Sequence, residues 1–381
     1  MSGVYLDYNA TAPIRREALA AAIETMSRVG NPSSVHAAGR LARSVMETAR
    51  EQVAALIGAP ASTVIFTSGG TEANALAVES AVAAGSRHLL IGATEHDCIR
   101  APAEASEAIV ESWPADANGV ADLDWLEARL QAWSPADGRP FAALMLANNE
   151  TGVIQPVAEA AALLRAADGW LHVDAVQAAG KIAVDSRAIG ADTLAIASHK
   201  IGGPMGSGAL TFGPRAVLSR RLHGGGQERG RRGGTENLSG IAGFGAAAEA
   251  ALRDLPSVTA HAAWRDRAAD RLVAEAGVTV FGQAAPRLPN TLCFAAPGFS
   301  SELQVMALDL EGVMVSAGSA CSSGKVKASH VLLAMGAEAL AGCAIRVSGG
   351  WATTAADWDR FADLWLAALA RQQTRRRVSA A

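Results

Sequence analysis

The chain predicts an α/β fold: a large domain built on a mainly parallel sheet, with a smaller α+β domain after it. Three observations carry that expectation. At 381 residues the chain is too long for one ordinary core. Through roughly residue 240, short apolar runs that end in polar or glycine-rich residues alternate with alanine- and leucine-rich stretches of helical spacing. Beyond that point two long helical stretches are followed by shorter strands.

In chain order, the predicted strands of the large domain are residues 64–67, 88–91, 141–146, 171–173, 193–196 and 208–212. Each is apolar enough to be covered on both faces, as parallel strands between helices are. Residues 39–58 and 156–168 are rich in alanine and leucine and read as helices between them. In such sheets ligands gather beyond the carboxyl ends of the strands, so the polar residues there are expected to converge. Helices over 241–253 and 259–275 lead to predicted strands at 278–281, 290–294, 313–316 and 344–347. The large, cofactor-binding domain is therefore expected over 13–255. The small domain takes 1–12 and 256–381 and carries the loop around Cys321.

Composition narrows the function. Half of the residues are hydrophobic, 18% are charged and 38 are glycine, which suits a compact enzyme rather than a disordered or fibrous chain. A net charge of −4 gives no general reason to expect nucleic acid or a membrane surface as partner. The basic stretch 371–377 reads as a solvated helix end. No apolar run approaches the roughly 18–20 residues a bilayer requires, and no secretory signal is visible. Cys98, Cys293, Cys321 and Cys343 form no C-x-x-C pair and no metal spacing, so free thiols and a cytoplasmic setting are expected, with no structural metal site.

The chemistry begins at two strand ends. Thr193-Leu-Ala-Ile-Ala-Ser-His-Lys200 stops in polar residues before two glycines, and Trp170-Leu-His-Val-Asp174 is followed by Gln177. A lysine and an aspartate so placed suit pyridoxal phosphate: the amine can hold the aldehyde, and the carboxylate can keep the pyridine nitrogen protonated. The segment Phe66-Thr-Ser-Gly-Gly-Thr71 follows a strand and opens a helix, so its free N–H groups can form an anion cup. An ordinary helix cap is the bland alternative. His96 and Asn149 each end a strand and divide between structural and site roles. The glycine- and arginine-rich stretch 223–237 reads either as a surface loop or as a phosphate-facing one. Cys321, among small residues after a strand, reads as an exposed functional thiol, whereas Cys98 is expected only to pack.

Together these segments resemble the cysteine desulfurases of the NifS/IscS type, within the class V aminotransferases. The resemblance rests on Tyr5-Leu-Asp-Tyr-Asn-Ala-Thr, Gly70-Thr-Glu, Thr94-Glu-His, Asn148-Asn-Glu-Thr-Gly, His172-Val-Asp-Ala-Val-Gln, Ser198-His-Lys, Glu228-Arg-Gly-Arg-Arg-Gly-Gly-Thr-Glu-Asn, Gly318-Ser-Ala-Cys and Ile345-Arg-Val-Ser, in order from about residue 4 to 370. The spacing after Cys321 is similar to the long-loop subgroup. The resemblance implies a type I pyridoxal-phosphate fold and a homodimer. It implies Lys200 as the Schiff-base residue, Asp174 as the ring-nitrogen partner and His96 as the stacked acid/base. Asn149 and Gln177 would hold the ring's phenolate oxygen. Gly70, Thr71 and His199 would hold the phosphate, with Ser198 as a nearby hydroxyl and Thr235 reaching it from the other subunit. Arg346 would clamp the substrate carboxylate, with Asn31 and Asn149 on the substrate side.

The implied reaction moves sulfur from L-cysteine to Cys321 as a persulfide, leaving alanine, and then to acceptors such as an iron–sulfur scaffold, whose cluster Cys321 could transiently ligate. A selenocysteine lyase, another class V enzyme and a non-catalytic sulfur-relay protein are the alternatives. Three departures stand out. The opening reads Ala10-Thr11-Ala12-Pro13 rather than Ala-Thr-Thr-Pro. Where the family has Ser-Gly-His-Lys this chain has Ala197-Ser198-His199-Lys200, and the C-terminus reads short for scaffold docking.

Overall fold

The computed structural model describes residues 3–317 and 328–380. Thirteen strands are formed among the described residues. Strand β1 (Val4–Tyr5) lies near the N-terminus. Seven strands then build one sheet: β2 (Val64–Thr67), β3 (His88–Gly92), β4 (Ile109–Trp113), β5 (Phe141–Ala143), β6 (Trp170–Asp174), β7 (Thr193–Ala197) and β8 (Gly208–Phe212). Their spatial order is β2-β8-β7-β6-β5-β3-β4.

The pairs β7–β6, β6–β5, β5–β3 and β3–β4 are parallel, whereas β8 runs antiparallel to both β7 and β2. The chain itself explains the reversal. Only residues 198–207 join β7 to β8, less than a helical crossover needs, so the strand returns beside its predecessor. Strand β4 has no counterpart among the predicted strands. It is an edge strand with Ile109 and Val110 exposed, so the continuous apolar signature of a buried strand is missing. The predicted strand over 141–146 is shorter in the fold, pairing only through Ala143.

The sheet is covered by helices. One core joins Phe66, Leu90, Leu144, Leu171, Val173, Leu194 and Ile196 of the sheet side with Phe244 of the long helix Leu238–Val258. That helix packs on Ala37–Leu56. Gly245 permits the approach, since a Cβ there would stand 2.6 Å from Ala49 Cα.

A second core gathers Leu6, Phe294, Trp358, Phe361 and Trp365. It lies under an antiparallel sheet, ordered β12-β13-β10-β9, of β9 (Thr279–Val280), β10 (Thr291–Ala295), β12 (Ser316–Ala317) and β13 (Ala344–Ser348). The remaining strand, β11 (Val313–Met314), pairs in parallel with β1, and Asp7 bridges to Ser348. No helix among the described residues is long and apolar enough to cross a membrane.

Candidate active site

At the carboxyl ends of β6 and β7, a cavity of about 410 Å³ opens between the two sheets. Its wall includes Gly70, Thr71, His96, Asn149, Asp174, Gln177, His199, Lys200 and Arg346. The volume falls in the range of sites for small organic ligands, roughly 300–1,000 Å³.

Lys200 follows β7 directly. Its Nζ donates to the carbonyls of Asn9 (2.6 Å) and Ala10 (2.8 Å) and meets no carboxylate at ion-pair distance among the described residues. Burial, then the Arg346 charge, pull its pKa down to about 8, which leaves a substantial amine fraction near neutral pH. Lys181, in the turns that follow β6, is also buried, and loss of hydration drives its pKa well below the ordinary lysine value. It donates to Asn9 Oδ1 (2.8 Å) and Gln177 Oε1 (2.6 Å), while Gln177 Nε2 donates to the Asn9 carbonyl (3.0 Å). Asn9 thereby gathers Lys200, Lys181 and Gln177.

Asp174 closes β6. One carboxylate oxygen accepts from Val176 N (2.9 Å) and the other from Asn74 Nδ2 (2.8 Å), with Cys98 Sγ at 3.7 Å. Burial raises its pKa, and no lysine or arginine pairs with it among the described residues. A buried carboxylate without a cationic partner suits a protonated ring nitrogen, which would supply the missing charge. His96 caps the helix Asp97–Glu104, its Nδ1 accepting from Cys98 N (3.1 Å), which leaves Nε2 as the donor nitrogen. It is an exposed residue of the cavity wall.

The anion cup stands where Gly69 leads into the helix Gly70–Ala83. Cβ atoms are excluded around it: one at Gly70 would meet Val176 Cγ2 at 3.0 Å, and one at Gly208 would meet the Gly69 carbonyl carbon at 2.5 Å. His199 lines the same cavity, its Nδ1 3.2 Å from Thr11 Oγ1. Burial and the neighbouring lysines lower its pKa to about 4, so the ring is neutral and can donate to a phosphate. The donor set, the bare turn, the low-pKa lysine and the unpaired carboxylate all fit pyridoxal phosphate.

Arg346 projects from β13. Its guanidinium donates to the Asn149 carbonyl (3.1 Å) and to Asp7 Oδ1 (2.7 Å), while Nε stays buried without a partner. The side-chain amide of Asn149 also faces the cavity and has no partner among the described residues.

Three predicted site residues lie elsewhere. Ser198 is fully buried and its hydroxyl has no partner. That hydroxyl faces Gly203, where a Cβ would stand 2.2 Å from Oγ, and Ala197 lines the cavity in its place. Ser198 therefore adds no hydroxyl to the anion cup in this conformation. Exposed Asn31 caps its own turn, with Oδ1 accepting from Ser33 N (2.8 Å). Thr235 sits in a separate hollow beside Phe66, Ser68 and Arg232. Cys321 lies outside the described residues, and the chain on either side of them, at Ser316 and His330, lines the cavity.

Cys98 packs against the core of Val78, Ile91 and Ile99, as expected, and has a second contact. It lines the cavity against Asp174 and accepts from Asn74 Nδ2 (3.0 Å). Burial and the Asp174 charge push its thiol pKa far up, so it stays protonated. Asn9 and Lys181 also escape the sequence reading; Lys181 meets Gln177 across the turns after β6, which no helical or strand period marks.

Fold and cavity define a pyridoxal-phosphate enzyme of the aspartate-aminotransferase-like type. The model of the class-V aminotransferases matches residues 4–361, and the chain belongs to that family. It is 37% identical to a cysteine desulfurase IscS of Dictyoglomus turgidum over 366 residues, 93% of this chain and 91% of the relative. A cysteine desulfurase of Cereibacter sphaeroides is 40% identical over 96% of this chain and 95% of its own. Among solved structures, a NifS-like protein from Rickettsia africae superposes with a TM-score of 0.87 at 30% identity, covering 96% of this chain and 99% of that one.

Proposed function

We propose that this protein is a cysteine desulfurase that takes sulfur from L-cysteine, releases L-alanine and delivers the sulfur through a persulfide on Cys321. The observation that carries the reading is the convergence of Lys200, Asp174 and Arg346 on one cavity, whose wall also includes Ser316 and His330, which flank Cys321 in sequence. The relatives named cysteine desulfurase support the choice of substrate.

Pyridoxal phosphate, when bound, supplies an electron-accepting ring. Gly70, Thr71 and His199 would hold its phosphate, Asp174 its ring nitrogen, and Asn149 and Gln177 its phenolate oxygen. His96 would lie on the ring face. Arg346 would bind the substrate carboxylate through its guanidinium and orient the amino acid. The depressed pKa of Lys200 suits its Nζ to take up a proton from the substrate carbon and return it. Cys321 as thiolate would attack the substrate sulfur. A sulfur–sulfur bond forms, the carbon–sulfur bond breaks, and the electron pair left on carbon takes a proton to give the methyl group of alanine.

The working unit would be a homodimer in the cytoplasm, with Thr235 reaching the partner's phosphate. Leu19, Ile23 and Met26, spaced 4 and 3 apart on the helix Arg16–Met26, are all exposed and offer an apolar face to a second copy. Sulfur acceptors would include a scaffold for iron–sulfur clusters. The test is incubation of cofactor-loaded protein with L-cysteine, followed by mass spectrometry. One extra sulfur atom on Cys321 and stoichiometric alanine are expected. A Cys321→Ser variant that makes alanine and sulfide at the unmodified rate would overturn the assignment of Cys321.

A further inference from the structure

Behind Asp174 a line of buried polar side chains has one consistent direction. Trp170, His172 and Asp174 are alternate residues of β6 and so share one face of the strand. Trp170 Nε1 reaches Thr193 Oγ1 on β7 at 3.1 Å, and Thr193 Oγ1 lies 2.9 Å from His172 Nδ1. His172 Nε2 lies 2.9 Å from Asn74 Oδ1, and Asn74 Nδ2 lies 2.8 Å from Asp174 Oδ2. Trp170, Thr193, His172 and Asn74 are all essentially inaccessible to solvent.

The two ends of this line cannot exchange roles. An indole N–H only donates and a carboxylate only accepts. Asp174 therefore requires the amide nitrogen of Asn74, which turns the amide oxygen toward His172. His172 must then carry its proton on Nε2, leaving Nδ1 to accept from the Thr193 hydroxyl, whose oxygen accepts from Trp170. Burial lowers the His172 pKa to about 3, which keeps the ring neutral, as one donor and one acceptor nitrogen demand.

We propose that Asn74 is the positioning residue for Asp174, its amide keyed by His172, Thr193 and Trp170 so that a donor always faces the carboxylate. The proposal rests on the reading of Asp174 as the partner of the cofactor's ring nitrogen. Holding Oδ2 with a fixed neutral donor stabilises the buried charge and sets the carboxylate plane without a competing cation. The Cys98 thiol touches both Asn74 and Asp174 and adds a second neutral group at that oxygen.

The experiment compares holoenzyme with the variants Asn74→Ala and Thr193→Val. Its readouts are the pH titration of the bound cofactor's visible band and the cofactor's dissociation constant from dialysis against a dilution series of pyridoxal phosphate. In Asn74→Ala the band should persist, because Lys200 is intact. Its titration midpoint should rise by about one pH unit, since a ring nitrogen that loses its proton repels a proton on the Lys200 nitrogen less. Cofactor dissociation should increase about tenfold, in proportion to a lost charge-assisted hydrogen bond. Thr193→Val leaves Asn74 in place and removes only the hydroxyl that keys His172, so it should shift both readouts in the same direction by less. It also carries the test should Asn74→Ala fail to fold.

A band midpoint and dissociation constant unchanged in both variants would overturn the positioning role even if thermal stability fell. Absence of any visible band in the unmodified protein loaded with pyridoxal phosphate would overturn the reading of the site itself, a distinct result.

Discussion

Two side chains of the cavity owe their reactivity to what surrounds them. Lys200 is held by backbone carbonyls only, and burial costs its charged form hydration. Because its pKa is lowered, the reactive amine forms at lower pH than for an exposed lysine at about 10.4. The rate at which cofactor-free protein takes up pyridoxal phosphate, followed by absorbance from pH 7 to 10, should rise to a plateau with a midpoint near 8. A midpoint near 10 would show that burial does not act on this amine. Cys98 shows the opposite effect, since the same loss of hydration suppresses its thiolate. At pH 8 iodoacetamide should leave Cys98 unmodified while free cysteine is consumed, as peptide mapping would show. Both effects escape a sequence reading, because a strand-end lysine is visible in spacing whereas its burial and the charge of Arg346 beside it come from the fold.

At the level of elements, the loop 223–237 shows how an apparently loose sequence is pinned. Glu228 and Arg229 adopt left-handed φ values of 46° and 56°, which residues other than glycine rarely hold. Burial of the Glu228 carboxylate explains why they persist. It receives Arg50 Nη1 (2.8 Å) and Nη2 (2.9 Å) and the Phe66 N–H (3.0 Å), at the start of the chain's turn toward the anion cup. Glu228→Ala removes the buried partner of Arg50 and leaves it only the more exposed Glu47, 3.2 Å away, so it should cost about 2–3 kcal/mol in chemical denaturation. A loss under 1 kcal/mol would mean that the loop is not held by this pair. Nearby, Gly208→Ala should displace the Gly69 turn and weaken cofactor binding, read by dialysis, because no Cβ fits there. The six predicted strands of the large domain were legible because each is an apolar run. Edge strand β4 was not, since half-exposed residues carry no such signal.

At the scale of the whole molecule, site residues arrive from sequence positions far apart, and only the fold shows which of them meet. Lys200, Asp174 and His96 could be read from strand ends, as the parallel sheet sends its carboxyl ends to one side. Arg346 comes from the second sheet and was legible only through family resemblance. The hydroxyl expected at Ser198 could not be tested by pattern, because orientation at the end of β7 depends on how Gly203 packs beneath it. If the apolar face of Leu19, Ile23 and Met26 is covered by a second copy, sedimentation at micromolar concentration should give twice the chain mass of 39.0 kDa. Replacing Ile23 and Met26 with glutamate should shift the protein toward the single-chain mass, and an unchanged mass would place the contact elsewhere.

Asn9 reaches further than the cavity. Its backbone N–H donates to Ser348 Oγ (3.0 Å) and its amide to Thr291 Oγ1 (3.0 Å), both in the second sheet, while its carbonyl holds Lys200 and Gln177. Once the lysine nitrogen is committed to a carbon it keeps at most one hydrogen, too few for the two carbonyls it now serves. Either Asn9 or Ala10 must then surrender a donor. Loading of the site is thereby written into the N-terminal arm, and deuterium uptake by residues 3–12 can serve as a gauge of occupancy that reads no colour and no turnover.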